Sequence, residues 1–211
     1  MCDRAKIQLS KLETELVNNT EWILTKQAII NKVYLLLGQL HDAYSAILKE
    51  EKELNSLFKE GKAGKISKGE NYLGLPYAIL DYPAIFKKEN VFAIRTMFWW
   101  GNFFSITLHI SGKERVQAAN VPTLMENLYD KGFFLCVNKN EWEHHFNESN
   151  YLPADEIGDE VFSKIFRGNF LKIAKKVDVK KWSEAPAFLE LGYRELIEII
   201  KINFLTGEKA L

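Results

Sequence analysis

The side chains able to do chemistry gather in two short stretches of this chain. The first is VFAIRTMFWWGNFFSITLHIS, residues 91–111. Thr96, Ser105, Thr107 and His109 could hydrogen-bond a ligand, and Phe98, Trp100 and Phe103 could wall it. Small-molecule sites have this make-up, mostly apolar with a few convergent polar groups. An unperturbed imidazole titrates near ~6.5, so His109 could serve as acid, base or anchor. Strand histidines and hydroxyls also occur simply hydrogen-bonded beneath a covering layer, which is the plainer reading.

The second stretch is NEWEHHFNE, residues 140–148, the one concentration of metal-ligating types. On a helix, Glu141 and His144 are three apart, as are His145 and Glu148, so each pair could approach one ion. A single E-x-x-H falls short of a dinuclear carboxylate site, which needs two such motifs and two further glutamates. H-E-x-x-H is absent and no cysteine lies close by. A solvated helix face with Trp142 and Phe146 packed inward competes with the metal site and is the simpler expectation. The lysine- and glycine-rich run from Lys59 to Gly69 lacks the spacing of a phosphate loop and follows a helix, so it reads as a solvated loop. No nucleophile elbow or catalytic triad order is present.

These groups are useful only where the backbone puts them. β-Branched and aromatic residues flank Gly101-Asn102, the signature of a hairpin with a two-residue loop. That loop pairs Trp100 with Phe103, Phe98 with Ser105, Thr96 with Thr107 and Ile94 with His109, all on one face. The opposite face then carries Arg95, Met97 and Trp99 beside Phe104, Ile106, Leu108 and Ile110, and reads as core. Arg95 is the anomaly there, because a guanidinium cannot shed its charge. It requires a buried carboxylate, with Asp81 or Glu70 the natural partners, or a bound anion.

From Leu9 to Phe58 apolar residues recur in one heptad frame, including Leu12, Leu16, Ile23, Ile30, Val33 and Leu37. Asn18-Asn19-Thr20 is the break, with Thr20 able to cap a second helix. Two helices folded back on the domain would bury this seam; alternatively it self-associates, with Asn19 and Lys26 setting register. Residues 71–90 read as a stiff aromatic loop punctuated by Gly74, Pro76 and Pro83. A helix opening at Asn120 and closed by Gly132 precedes a short strand from Phe133 to Val137, a crossover that would allow one parallel pairing. FLKIAKKVDVKKW fits either strand or helix, and as a strand its lysines suit an exposed edge. Residues 156–167 and a final segment with Pro186 in its first turn, carrying Leu189, Tyr193, Leu196, Ile200 and Phe204, read as amphipathic helices.

The resulting expectation is a single α+β domain over residues 1–211. Long N-terminal helices (1–58) pack on a small, mainly antiparallel sheet (70–138), and a mostly helical segment (139–211) ends in a C-terminal helix. The 28 basic and 28 acidic residues cancel, which removes the electrostatic footprint of a nucleic-acid binder. Two cysteines, Cys2 and Cys136, imply no disulfide framework, and no leader or membrane span is evident, so the cytoplasm is expected. No cofactor is implied. The helical seam and the absence of catalytic motifs favour a non-catalytic binding or interaction domain, with a homodimer through the N-terminal helices as one form of it. A small molecule on the hairpin face is the alternative, and a metal-dependent activity at residues 141–148 is the less favoured third.

Overall fold

A computed structural model describes residues 7–58, 63–88, 90–112 and 121–205. Cys2, residues 59–62, Asn120, the Phe204 side chain and Gly207 lie outside the described residues. Helix α1 (Lys11–Val17) opens with a capping box, in which Ser10 and Glu13 each bond the other's backbone N–H. The break falls at Asn18-Asn19, as expected, but Asn19 rather than Thr20 caps α2 (Thr20–Glu50), accepting from the Trp22 N–H at 3.0 Å. With no proline to interrupt it, α2 runs for 31 residues, and α3 (Lys52–Leu57) follows. After these come β1 (Lys65–Tyr72), β2 (Leu75–Lys87), β3 (Asn90–Trp99), β4 (Phe103–Ser111), α4 (Val121–Leu128), β5 (Phe134–Cys136), β6 (Tyr151–Pro153), α5 (Asp159–Arg167), β7 (Phe170–Asp178) and α6 (Ala185–Ile200).

The strands form one sheet in the order β1-β2-β3-β4-β7-β5-β6, with every pairing antiparallel, so the parallel crossover is not made. The α+β class and the helices at either end agree with the sequence. The sheet is larger than expected because residues 65–87 are strands rather than loops. Gly74, at φ +84°, turns β1 into β2, with Asn71 Oδ1 accepting its N–H at 3.0 Å. Pro83 sits where the β2–β3 register shifts, between Asp81 and Ala84, a place that tolerates a missing N–H.

One face of the sheet is buried under α2 and α6. It carries Phe92, Ile94, Thr96 and Phe98 beside Phe104, Ile106, Leu108 and Ile110, with Leu171 and Ile173 from β7. Val33, Leu37, Leu40 and Tyr44 descend from α2, and Leu189, Tyr193 and Leu196 from α6. The Tyr44 and Tyr193 rings stack at 3.9 Å, and the Tyr44 hydroxyl lies 3.1 Å from Thr96 Oγ1. At Gly192, α6 approaches β4 so closely that a Cβ would meet Ile106 Cγ2 at 2.8 Å. The heptad seam is divided: its part from Val33 to Leu48 is buried on the sheet, whereas every residue from Ile7 to Thr25 is exposed and α1 buries none.

The hairpin register differs from the expectation by one position. Trp99 pairs with Phe103 and Phe98 with Phe104, so the loop is Trp100-Gly101-Asn102. The Asn102 N–H bonds the Trp99 carbonyl at 3.1 Å and Gly101 takes φ +70°, a left-handed value that glycine allows without strain. A loop of three residues instead of two flips the parity of β4 relative to β3. Thr96 and Phe98 therefore remain on the helix-covered face. Phe103, Ser105, Thr107 and His109 move to the other face, beside Arg95, Met97 and Trp99, and Trp100 sits in the turn. The shared hairpin site proposed for these residues is not assembled.

Strand β7 is also not an edge. It lies between β4 and β5 and buries lysines. Lys175 does so on the helical face by pairing with Glu195 at 2.7 Å and lying 4.8 Å from the Phe133 ring centroid. No helix among the described residues is long and apolar enough to cross a membrane.

Candidate functional site

The second face of the sheet carries a buried polar column. Alternation along β4 aims Ser105, Thr107, His109 and Ser111 to this side, and none is more than 9% exposed. Register places Arg95 beside Thr107, Asp81 beside Arg95, and Lys172 beside His109. A strap of residues 137–150, joining β5 to β6, lies over this column.

The strap is not helical, which corrects the premise of the metal site. Its asparagines satisfy backbone groups locally, the habit that makes this residue a turn former. Asn138 Oδ1 accepts the Asn140 N–H at 2.8 Å, Asn140 Oδ1 accepts the Trp142 N–H at 3.1 Å, and Asn150 Nδ2 donates to the His145 carbonyl. The four proposed ligands consequently disperse. Glu141 Oε2 accepts from His109 Nε2 at 2.8 Å, His144 Nε2 accepts from Arg95 at 3.0 Å, His145 Nδ1 accepts the Asn147 N–H at 3.4 Å, and Glu148 is exposed. Among the described residues no group of three or more His, Cys, Asp or Glu is placed to hold a metal ion.

Arg95 resolves as an ion pair. Its Nε and Nη2 donate to the two Asp81 oxygens at 2.8 and 3.0 Å, the fork geometry that suits a carboxylate. Glu70, the other expected partner, pairs with Lys26 at 2.6 Å. Lys172, 1% exposed, ties the strap down by donating to the carbonyls of Glu141 and Glu143, and its ammonium lies 5.3 Å from the Tyr151 ring centroid. Burial lowers its pKa to about 8. Burial, reinforced by the cations Lys172 and Arg95, lowers His109 to about 3 and His144 to about 2. Both imidazoles are neutral at pH 7, so His109 donates its Nε2–H to Glu141 and His144 offers a lone pair to Arg95. The Tyr72 phenol accepts the N–H groups of His144 and His145 at 2.7 and 3.0 Å and donates to Glu143 at 3.1 Å. Phe146 adds an apolar pin, stacked on Tyr151 at 4.6 Å.

The polar column ends in a cleft of about 820 Å³ at one end of the sheet. Ser111 and Val91 lie at its floor, and Glu141 and Trp142 of the strap, Phe86 at the end of β2 and Arg167 at the end of α5 form its walls. Trp142 stands edge-on to His109 at 5.4 Å yet is 46% exposed, contrary to its expected inward packing. Among the described residues, Lys87, Lys88 and Arg167 outnumber Glu141 around the cleft.

Lys172, Phe86 and Arg167 were not singled out from the sequence, and Tyr72 was read only as part of an aromatic loop. For Lys172 the signal was its spacing: read as an interior strand, FLKIAKKV puts this lysine on the opposite face from Leu171 and Ile173. No protein-family model matches the chain, and no curated protein or solved structure shows significant similarity to it.

Proposed function

We propose that this chain is a non-catalytic binding domain whose cleft takes a small molecule bearing an anionic group and a flat apolar part. The contrast between cluster and cleft carries this reading. Arg95, His109, His144 and Lys172 already bond partners within the chain, so none of them is left poised as a base or nucleophile for a substrate. The cleft, by contrast, is accessible, and its volume falls within the ~300–1,000 Å³ of ordinary ligand sites. Arg167 and Lys88 suit a carboxylate or phosphate, and the exposed rings of Trp142 and Phe86 suit a planar group. Holding Glu141 and Trp142 on a clamped strap lowers the ordering cost of binding.

Calorimetric titration of the full chain with phenyl phosphate and with benzoate tests the reading. At least one probe should bind, weakening by about 10-fold in Arg167→Ala and in Trp142→Ala, and weakening with added salt. No heat from either probe up to ~10 mM, or equal affinity in both variants, would overturn it.

A further inference from the structure

The amphipathic stripe that α2 buries on the sheet continues outward, beyond the body, with nothing among the described residues upon it. We propose that a second copy of this chain covers α1 and the first turns of α2, in a two-fold pairing of these segments. Helix α1 has seven residues and buries none of them, and a helix that short is marginal in water without tertiary packing. Leu9, Leu12, Leu16, Trp22, Ile23 and Leu24 are each 41–63% exposed. Together they expose roughly 600 Å², the upper end of the largest patch that monomers ordinarily leave bare. Two copies would bury about 1,200 Å², the lower edge of a specific stable interface.

The same patch also supplies a receptacle. Trp22, Thr25 and Ile29 of α2 and Trp100 of the hairpin turn line a groove of about 350 Å³, with Asn19, Glu21 and Lys26 at its polar side. A surface with both an apolar ridge and a groove carrying Trp22, Ile29 and Trp100 can complement itself, as an isologous interface requires. In the pairing, α1 of one copy seats in the groove of the other. The two residues that the seam alone would assign to register are engaged elsewhere, Asn19 as the cap of α2 and Lys26 with Glu70. Both also line the groove, so the groove and not the seam alone sets the register. Charge disfavours an anionic surface as the occupant. Residues 7–25 carry Lys11 against Glu13, Glu15 and Glu21, a net negative segment that an anionic lipid surface or a nucleic acid would repel.

Sedimentation equilibrium of the full chain over a concentration series tests this. The chain should dimerise, and Leu12→Asp with Leu16→Asp should raise the dimer Kd at least about 100-fold. Those leucines are exposed in one copy, so the variant should keep the wild-type far-ultraviolet circular dichroism apart from the small contribution of α1. Trp100→Ala, which widens the groove and removes the ring contact with Phe98, should raise the Kd about 10-fold and gives a second reading should the double variant misfold. A chain that stays monomeric at ~100 μM, or a dimer unmoved by both variants, would overturn the proposal, as would a monomer that instead binds anionic vesicles.

Discussion

Arg95 donates from Nη1 to Nε2 of His144 at 3.0 Å, tying the strap to the middle of β3 through a bond that an imidazole accepts only while that nitrogen is unprotonated. The same guanidinium is forked onto Asp81. One side chain thus joins β2, β3 and the strap, and the protonation state of His144 is built into the join.

Acid should loosen this arrangement. In the folded chain His109 and His144 titrate at about 3 and about 2, whereas unfolded imidazoles titrate near ~6.5. Between these values the unfolded chain binds more protons than the folded one, so stability is complete above ~6.5 and falls as the pH drops below it. Urea unfolding should show a loss of about 4 kcal/mol from pH 7 to pH 5, and His109→Gln should remove about half of that loss. Equal stability at the two values would contradict the buried, neutral state of both rings.

Removing one partner of the Arg95–Asp81 pair leaves a buried charge alone. The Asp81 side chain is 5% exposed and that of Arg95 15%. Asp81→Ala should cost about 3–5 kcal/mol, and adding Arg95→Met should recover much of it, because an apolar pair needs no counter-charge. Chemical denaturation of the two single variants and the double variant measures the coupling. Additive losses would mean that the pair contributes nothing.

Lys172 holds the strap by its backbone. Lys172→Met keeps the stem and removes both bonds to the Glu141 and Glu143 carbonyls. Hydrogen exchange of the His144 and His145 amides, which bond the Tyr72 phenol, should quicken at least about 10-fold. Global stability should change less, since losing two carbonyl bonds is offset by no longer burying an ammonium. Unchanged exchange in the strap would show that Phe146 and Tyr72 hold it unaided.

Much of the fold was legible, for identifiable reasons. The 3–4 spacing in α2 and α6 and the aromatic, β-branched flanks of Gly101 report local preferences, and they were read correctly as helix and hairpin. Asp81 was found as a partner of Arg95 because a buried guanidinium limits the choices so narrowly. What failed depended on a single loop residue. With Trp100 in the turn, the parity of β4 inverts, and the polar residues of the hairpin leave Thr96 and join Arg95. The strap was misread because E-x-x-H spacing suggests a helix, while the asparagines around it stabilise turns by bonds to their own backbone. The cleft was invisible in sequence, since Phe86, Trp142 and Arg167 come together only when the ends of β2 and α5 meet the strap.

The central claim is that the cleft binds and that the cluster behind it only supports. Backbone and indole N–H chemical shifts recorded while the isotopically labelled chain is titrated with phenyl phosphate test this most directly. The account predicts saturable shifts of the Trp142 indole and of the Ser111 and Asn169 amides, with the Met97 and Trp99 amides at the far end of β3 unmoved. Shifts absent at the cleft, or centred on the far end of the sheet, would contradict it.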